Sequence, residues 1–198
     1  MVQPRRLGAE GSQVRTRFVD AVEAILSEEG YQGISARQVA AKAGLKTQLL
    51  YYYFRTMDDL LLAVVQRVNE RRMERFEEAL ASPEPLRALW QLNSDPSAAT
   101  LAAELTSIAT HREAIGAEIV EFATRFRQLQ VEAVGRLIPA GSDYTPAGVV
   151  MIAAALARTI VTESALGLTH GHAEALAIVE TMLARLEKPQ KAKRRSAS

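Results

Sequence analysis

Apolar positions recur along this chain at three- and four-residue intervals and show no sustained alternation. That pattern predicts helices and no β-sheet. Phe18, Val22, Ile25 and Leu26 stand at i, i+4, i+7 and i+8, one face of a helix opened by Ser12 and ending near Gly30. Ser35 begins a second helix, with Gln38 completing a capping box and Gly44 supplying the stop. Its small inner face, Val39, Ala40 and Ala43, allows close packing. A third helix over residues 47–54 follows within two or three residues, the connection of a helix-turn-helix corner.

Thr56 with Asp59 caps a fourth helix, which carries Leu60, Leu61, Val64, Val65, Val68, Met73, Phe76 and Leu80 to about residue 81. Its polar side interleaves Arg67, Arg71, Arg72 and Arg75 with Glu70, Glu74, Glu77 and Glu78, a solvated face of intrahelical pairs. Ser82-Pro83-Glu84-Pro85 breaks the chain. Beyond it, Leu86, Leu89 and Trp90 mark a short helix, and Asp95-Pro96 opens one through Ile108. Thr110 with Glu113 forms a capping box for a long helix, and Thr145-Pro146 opens an almost uniformly apolar one. Leu176, Val179, Leu183 and Leu186 give the last helix a packing seam. The expected fold is all-α with about nine helices. Its expected parts are a flexible basic arm (1–11), a helix-turn-helix domain (12–56), a connecting helix (57–81), a helical C-terminal domain (82–188) and a disordered basic tail (189–198).

Composition narrows the function classes. Of 198 residues, 48% are hydrophobic and 24% charged, ordinary for a globular chain that can bury a core. With no cysteine there is no disulfide framework and no thiol nucleophile, which fits a reducing cytoplasm. No apolar run approaches the roughly 18 residues of a membrane span, and the start lacks a signal-peptide core, so no membrane association and a cytoplasmic location are expected. The net charge of +1 argues against indiscriminate polyanion binding. Residues 1–56, however, hold eight Lys/Arg (Arg5, Arg6, Arg15, Arg17, Arg37, Lys42, Lys46, Arg55) against five acids (Glu10, Asp20, Glu23, Glu28, Glu29), a local +3. That excess suits a small phosphate-contacting surface.

The third helix contains the most distinctive feature. Tyr51, Tyr52, Tyr53 and Phe54 are four of only 11 aromatic residues in the chain. Successive helical residues are about 100° apart, so one buried stripe cannot absorb all four rings, and some must face a partner. A helix fits the major groove of DNA and reads base edges there. Gln48 has the chemistry to pair with an adenine edge, and Leu49 or Tyr52 to touch a thymine methyl. Tyr51 would donate to a phosphate, with Lys46, Arg55 and Arg37 adding charge. Leu50, Phe54 and Tyr53 would lock the helix onto its neighbours. The bland alternative for Tyr51 and Tyr52 is ordinary packing with wet hydroxyls. Enzyme signatures are lacking: there is no phosphate loop, nucleophile elbow or HExxH. His111, His170 and His172 have no carboxylate at ligand spacing, so neither a metal nor another cofactor is expected.

Residues 35–45 (SARQVAAKAGL), then Leu49-Leu50-Tyr51-Tyr52-Tyr53-Phe54 and Leu60-Leu61, resemble the TetR family of transcriptional regulators, the likeness covering roughly residues 12–66. The resemblance implies a homodimer whose N-terminal domain binds double-stranded operator DNA, typically palindromic, and whose C-terminal domain dimerises and senses a small hydrophobic effector. Carried over, it places Arg37, Thr47, Gln48, Leu49, Tyr51 and Tyr52 at the DNA, and Ser35, Lys46, Arg55 and Thr56 complete the expected contact set. Two departures stand out: Lys46 occupies a position where a Ser-like cap is usual, and Met57 one where Lys is common. For dimerisation, Ala153, Leu156, Ala157, Ile160, Leu176, Val179 and Leu183 make the last two helices more apolar than one small domain needs. An effector cavity, expected from family architecture alone, would draw on Trp90, Asn93, Leu101, Leu105, Phe122, Phe126, Met151, Thr159, Thr162 and Glu163. Repression is the family's usual output. A helical ligand carrier or adaptor that does not bind DNA is the alternative of another class.

Overall fold

The computed structural model describes residues 13–31, 34–139 and 143–187. The basic arm and tail expected at the two ends, and Ser12 as a helix opener, lie outside those residues. The described residues form nine helices and no strand. They are α1 (Gln13–Glu28), α2 (Ala36–Ala43), α3 (Thr47–Tyr53), α4 (Met57–Ala81), α5 (Pro85–Asn93), α6 (Pro96–Ala109), α7 (Glu113–Leu137), α8 (Pro146–Ala165) and α9 (His172–Leu186). The described residues group into two compact units, one running up to residue 74 and including 96–126, the other made of 75–95 and the described residues from 127 onward.

The first unit has the tighter core. Phe18, Val22, Ile25 and Leu26 of α1 meet Val39, Leu50, Leu60, Leu61, Val64 and Val65, with Ile108 and Ile115 from α6 and α7. Every one of the largest fully sealed side chains among the described residues belongs to this unit. Phe18 and Phe54 meet edge to face at 6.5 Å, fixing the end of α3 against α1.

Polar pairs brace it. Arg67 Nε donates to Glu23 at 2.8 Å, Arg67 Nη1 to Asp20 at 2.5 Å, and Arg71 Nη1 to Glu23 at 2.9 Å. The face of α4 predicted as a solvated row of intrahelical pairs therefore reaches across to α1 instead. Helical periodicity shows which residues share a face, not that a second helix lies beside it. At the α6–α7 corner, Arg112 pairs with Asp58 at the start of α4 and donates to the Tyr31 hydroxyl at 2.8 Å. Glu104 accepts the Tyr31 backbone N–H at 2.9 Å. Thr110 does not cap α7, contrary to the expected capping box: its hydroxyl donates to Ser107 O at 2.7 Å, closing the turn behind it, and α7 begins at Glu113.

The second unit packs Leu86, Leu89 and Leu92 of α5 with Ala133, Val134, Val150, Ala157, Val179 and Leu186. Arg87 on α5 donates to Glu180 on α9 at 2.6 Å, and that hydrogen bond above all raises its pKa. Helix α8 corrects the expectation that no segment is long and apolar enough to cross a membrane. Its 20 residues include an 18-residue window of mean hydropathy 1.4, of which only 17% is buried in the subunit. Arg158 and Glu163 interrupt its apolar run without lowering the average enough to matter. His172 Nε2 lies 2.8 Å from Glu163 Oε2, a pairing across nine residues that the α8–α9 turn creates and that spacing along the chain does not show.

Candidate nucleic-acid interface

Helix α3 is positioned by three local devices. Ser35 caps α2 by accepting the Gln38 N–H at 3.3 Å, while its hydroxyl donates to Gln38 Oε1 at 2.5 Å. The return bond of the expected capping box thus goes to the hydroxyl rather than to the Ser35 backbone. Gly44 ends α2 in the left-handed region, at φ +64. Its N–H reaches Ala41 O at 3.0 Å, and Leu45 N reaches Ala40 O at 2.9 Å, the paired bonds of a Schellman stop. Thr56 and Asp59 exchange backbone bonds at 3.2 and 3.0 Å, a full capping box that starts α4. Lys46 is the N-cap of α3 but makes no side-chain cap bond, so the helix begins at Thr47 with its first N–H groups unsatisfied by that side chain.

This frame divides α3 sharply. Leu50 is fully sealed and Phe54 nearly so, while Leu49 and Tyr53 pack partly against the core. Tyr51 and Tyr52 are each 51% exposed, among the few large apolar side chains left open. Tyr52 keeps its orientation through an edge contact with Tyr53 at 5.2 Å. Gln48 is exposed beside them and Thr47 half-buried. Residues i, i+3 and i+4 share a helix face, so Gln48, Tyr51 and Tyr52 form one outward surface.

Exposed cations stand around it. Arg37 on α2 and Lys46 before α3 have no carboxylate within 4.0 Å among the described residues. Arg55, whose side chain is 76% exposed, is held only loosely by Asp59 at 3.6 Å. Lys42, by contrast, is neutralised by Glu28 at 2.5 Å. Ser35 and Thr56 are exposed, but their oxygens already accept cap bonds.

The residues named for an effector do not converge. Trp90 and Asn93 line a cavity of about 420 Å³ in the second unit, together with Leu86, Gln130, Val134 and Leu183 among others. Leu101, Leu105, Phe122 and Phe126 belong to the first unit, where Leu105 and Phe126 are buried. Met151, Thr159 and Thr162 lie on the exposed side of α8, and Glu163 faces His172. Sequence reasoning missed Gln130, a polar residue one α-turn before an apolar cavity residue, because the same spacing serves any half-exposed helix. Of the residues named for dimerisation, Ala157 and Val179 are buried within the subunit, and Ala153, Leu156, Leu183 and Val179 line the cavity. Ile160 is half-buried and Leu176 exposed. The open apolar side carries Met151, Ile152, Ala155, Leu166, Leu176 and Ile178.

A short helix seated by two apolar residues and turned out by a glycine corner, with exposed cations at Lys46 before it, Arg55 after it and Arg37 on α2, defines a helix-turn-helix DNA-binding domain. Comparisons place it further. Residues 18–64 match the family described as bacterial regulatory proteins, tetR family. The HTH-type transcriptional regulator PksA of Bacillus subtilis (strain 168) is 34% identical over 64 residues, 32% of this chain and 31% of that protein. The chain thus spans about a third of the length of the curated relatives it matches. A TetR transcription regulator from Haloarcula marismortui shares the fold, with a TM-score of 0.69 at 20% identity over 86% of this chain and 96% of that one. So does a Saccharomonospora viridis transcriptional regulator solved in complex with choline, with a TM-score of 0.70 at 16% identity over 84% and 95%. Over residues 18–64 the chain is therefore similar to the DNA-binding segment of tetR-family regulatory proteins, and beyond that segment the likeness is one of fold.

Proposed function

We propose that this protein is a cytoplasmic, sequence-specific repressor that binds a palindromic operator as a homodimer and is released by a small, largely apolar effector. The observation that carries the reading is the outward surface of α3, where Gln48, Tyr51 and Tyr52 stand free beside Arg37 and Lys46. In this scheme the segment 12–56 reads DNA, 57–81 connects, and 82–188 dimerises and senses the effector. Tyr51 and the cations Lys46, Arg37 and Arg55 contact phosphates and set register. Gln48 reads a base edge, and Thr47, Leu49 and Tyr52 line the groove floor. Ser35 and Thr56 present helix starts to the backbone phosphates.

Support for the dimer comes from α8: a helix this apolar and this little buried needs a cover, and a second copy brings a matching face. The cover is drawn from the open side of α8 and α9, with Ile152, Leu176 and Ile178 at its centre. Support for an effector comes from the 420 Å³ cavity, within the size range of small-molecule sites. Helices α4 and α7 each contribute residues to both compact units, so order gained on ligand binding has a covalent route along them.

Selection of bound sequences from random duplexes, followed by titration, tests the reading. Tyr51→Phe should weaken specific and unrelated duplexes alike, by roughly the 0.5–1.5 kcal/mol of a lost hydrogen bond. Gln48→Ala should instead reduce discrimination by about 1–3 kcal/mol at one base position. No retardation of any selected duplex at moderate salt would leave the helical carrier standing instead.

A further inference from the structure

The second unit's cavity has one feature that its apolar walls do not explain. Gln130, on α7, lines it while only 5% of the residue is exposed, the sole buried polar or charged residue among those described. No hydrogen bond to its side-chain amide is formed by any described residue, whereas the neighbouring Asn93 amide donates to Leu89 O at 3.0 Å. Its amide opens onto the cavity rather than being sealed in the core, so a polar group placed there gains a hydrogen bond that the apolar walls cannot supply. Its carbonyl accepts and its NH2 donates, so it complements a group that does either.

Charge completes the argument. Asp143, exposed in the loop before α8, is the only charged side chain among the described residues that line the cavity. An ionised group carried to the depth of Gln130 would meet no counter-charge and would bear the full cost of desolvation. Resting on the reading of this cavity as the effector site, we infer that its ligand is an uncharged, largely apolar molecule with one carbonyl or hydroxyl seated on Gln130. Leu86, Leu89, Val134 and Leu183 enclose the hydrocarbon part.

The chain offers its own reporter, since Trp90 is its only tryptophan and lines the same cavity. Binding is followed by Trp90 fluorescence in the full chain with four probes on one frame: phenylcyclohexane, 4-phenylcyclohexanone, and the matching carboxylate and ammonium. The expected result is that Gln130→Met lowers the ketone-to-hydrocarbon affinity ratio about tenfold, the size of one hydrogen bond in a thermodynamic cycle. Both ions should bind far more weakly than the ketone.

An unchanged ratio, ions that bind as well as the ketone, or no binding by any probe would overturn the assignment. Ketone binding that leaves the protein on its DNA would support the pocket's chemistry and remove the effector role, so the two readings fail separately.

Discussion

Replacing Gly44 with alanine asks how far the α2–α3 corner depends on backbone handedness. Gly44 sits at φ +64, where an L-residue with a Cβ costs about 1–2 kcal/mol. A Cβ there would lie 3.2 Å from Arg17 Nη2. That atom is the tip of a flexible, exposed side chain, so it can withdraw. Withdrawal would weaken its 2.5 Å bond to Ala43 O, which satisfies one of the last carbonyls of α2. Strain from the backbone therefore dominates, and the total stays near 1–2 kcal/mol. For a chain of this size each kcal/mol moves Tm by about 2–4 °C, giving an expected loss of about 2–8 °C by calorimetry. Gly44→Asn should recover much of it, because Asn tolerates the left-handed region. Well below the transition, the Ala variant should bind selected duplexes as the parent does, since the Schellman bonds re-form in the folded state. Equal damage from Ala and Asn, or no loss with Ala, would refute the handedness argument.

Glu23→Ala should destabilise the first unit by about 1–3 kcal/mol, read by denaturant unfolding. It leaves Arg67, with a side chain only 20% exposed, with Asp20 alone, and the partial exposure discounts the full penalty of an unpaired charge. Arg112→Met should lower stability by about 1 kcal/mol through loss of the Asp58 and Tyr31 bonds, and Tyr31→Phe added to it should cost little more. Ile178→Glu, at a position 62% exposed in the subunit, should leave helicity intact by circular dichroism while sedimentation shows a 21.7 kDa monomer; a retained dimer would move the interface elsewhere.

Local chemistry was the most legible part of the sequence. The Ser35 and Thr56 caps, the Gly44 stop and the Thr145 cap each need only residues within one turn, and each stands where the pattern places it. Open Tyr51 and Tyr52 beside sealed Leu50 follow from helical geometry, whereas Phe54 is sealed as the extended residue that ends α3 one position earlier than expected. What periodicity does not encode is the identity of the neighbouring helix. Glu23 and Arg67 are 44 residues apart, so their bond requires the fold first. Thr110 shows the related ambiguity: a hydroxyl three residues before Glu113 can cap forward or bond backward, and here it bonds to Ser107. The cavity was the least legible, because an apolar helical residue that faces a void has the same spacing as one that faces a neighbour.

The distribution of tight packing has a consequence for how such a protein would respond to a ligand. In the first unit Phe18, Leu50, Leu60 and Ile115 are sealed, and a core at native density resists change because any shift loses many close contacts. The second unit keeps a 420 Å³ cavity with the Gln130 amide in its apolar wall, so it has both space and a polar group to offer. A ligand that fills the space and bonds Gln130 would gain more there than it could by entering the sealed core. By linkage, a ligand present at a hundred times its dissociation constant would add about 2.7 kcal/mol to the stability of the form that binds it. A response of that size is enough to select between conformers of the second unit without melting the DNA-reading domain, whose geometry rests on its own core and caps.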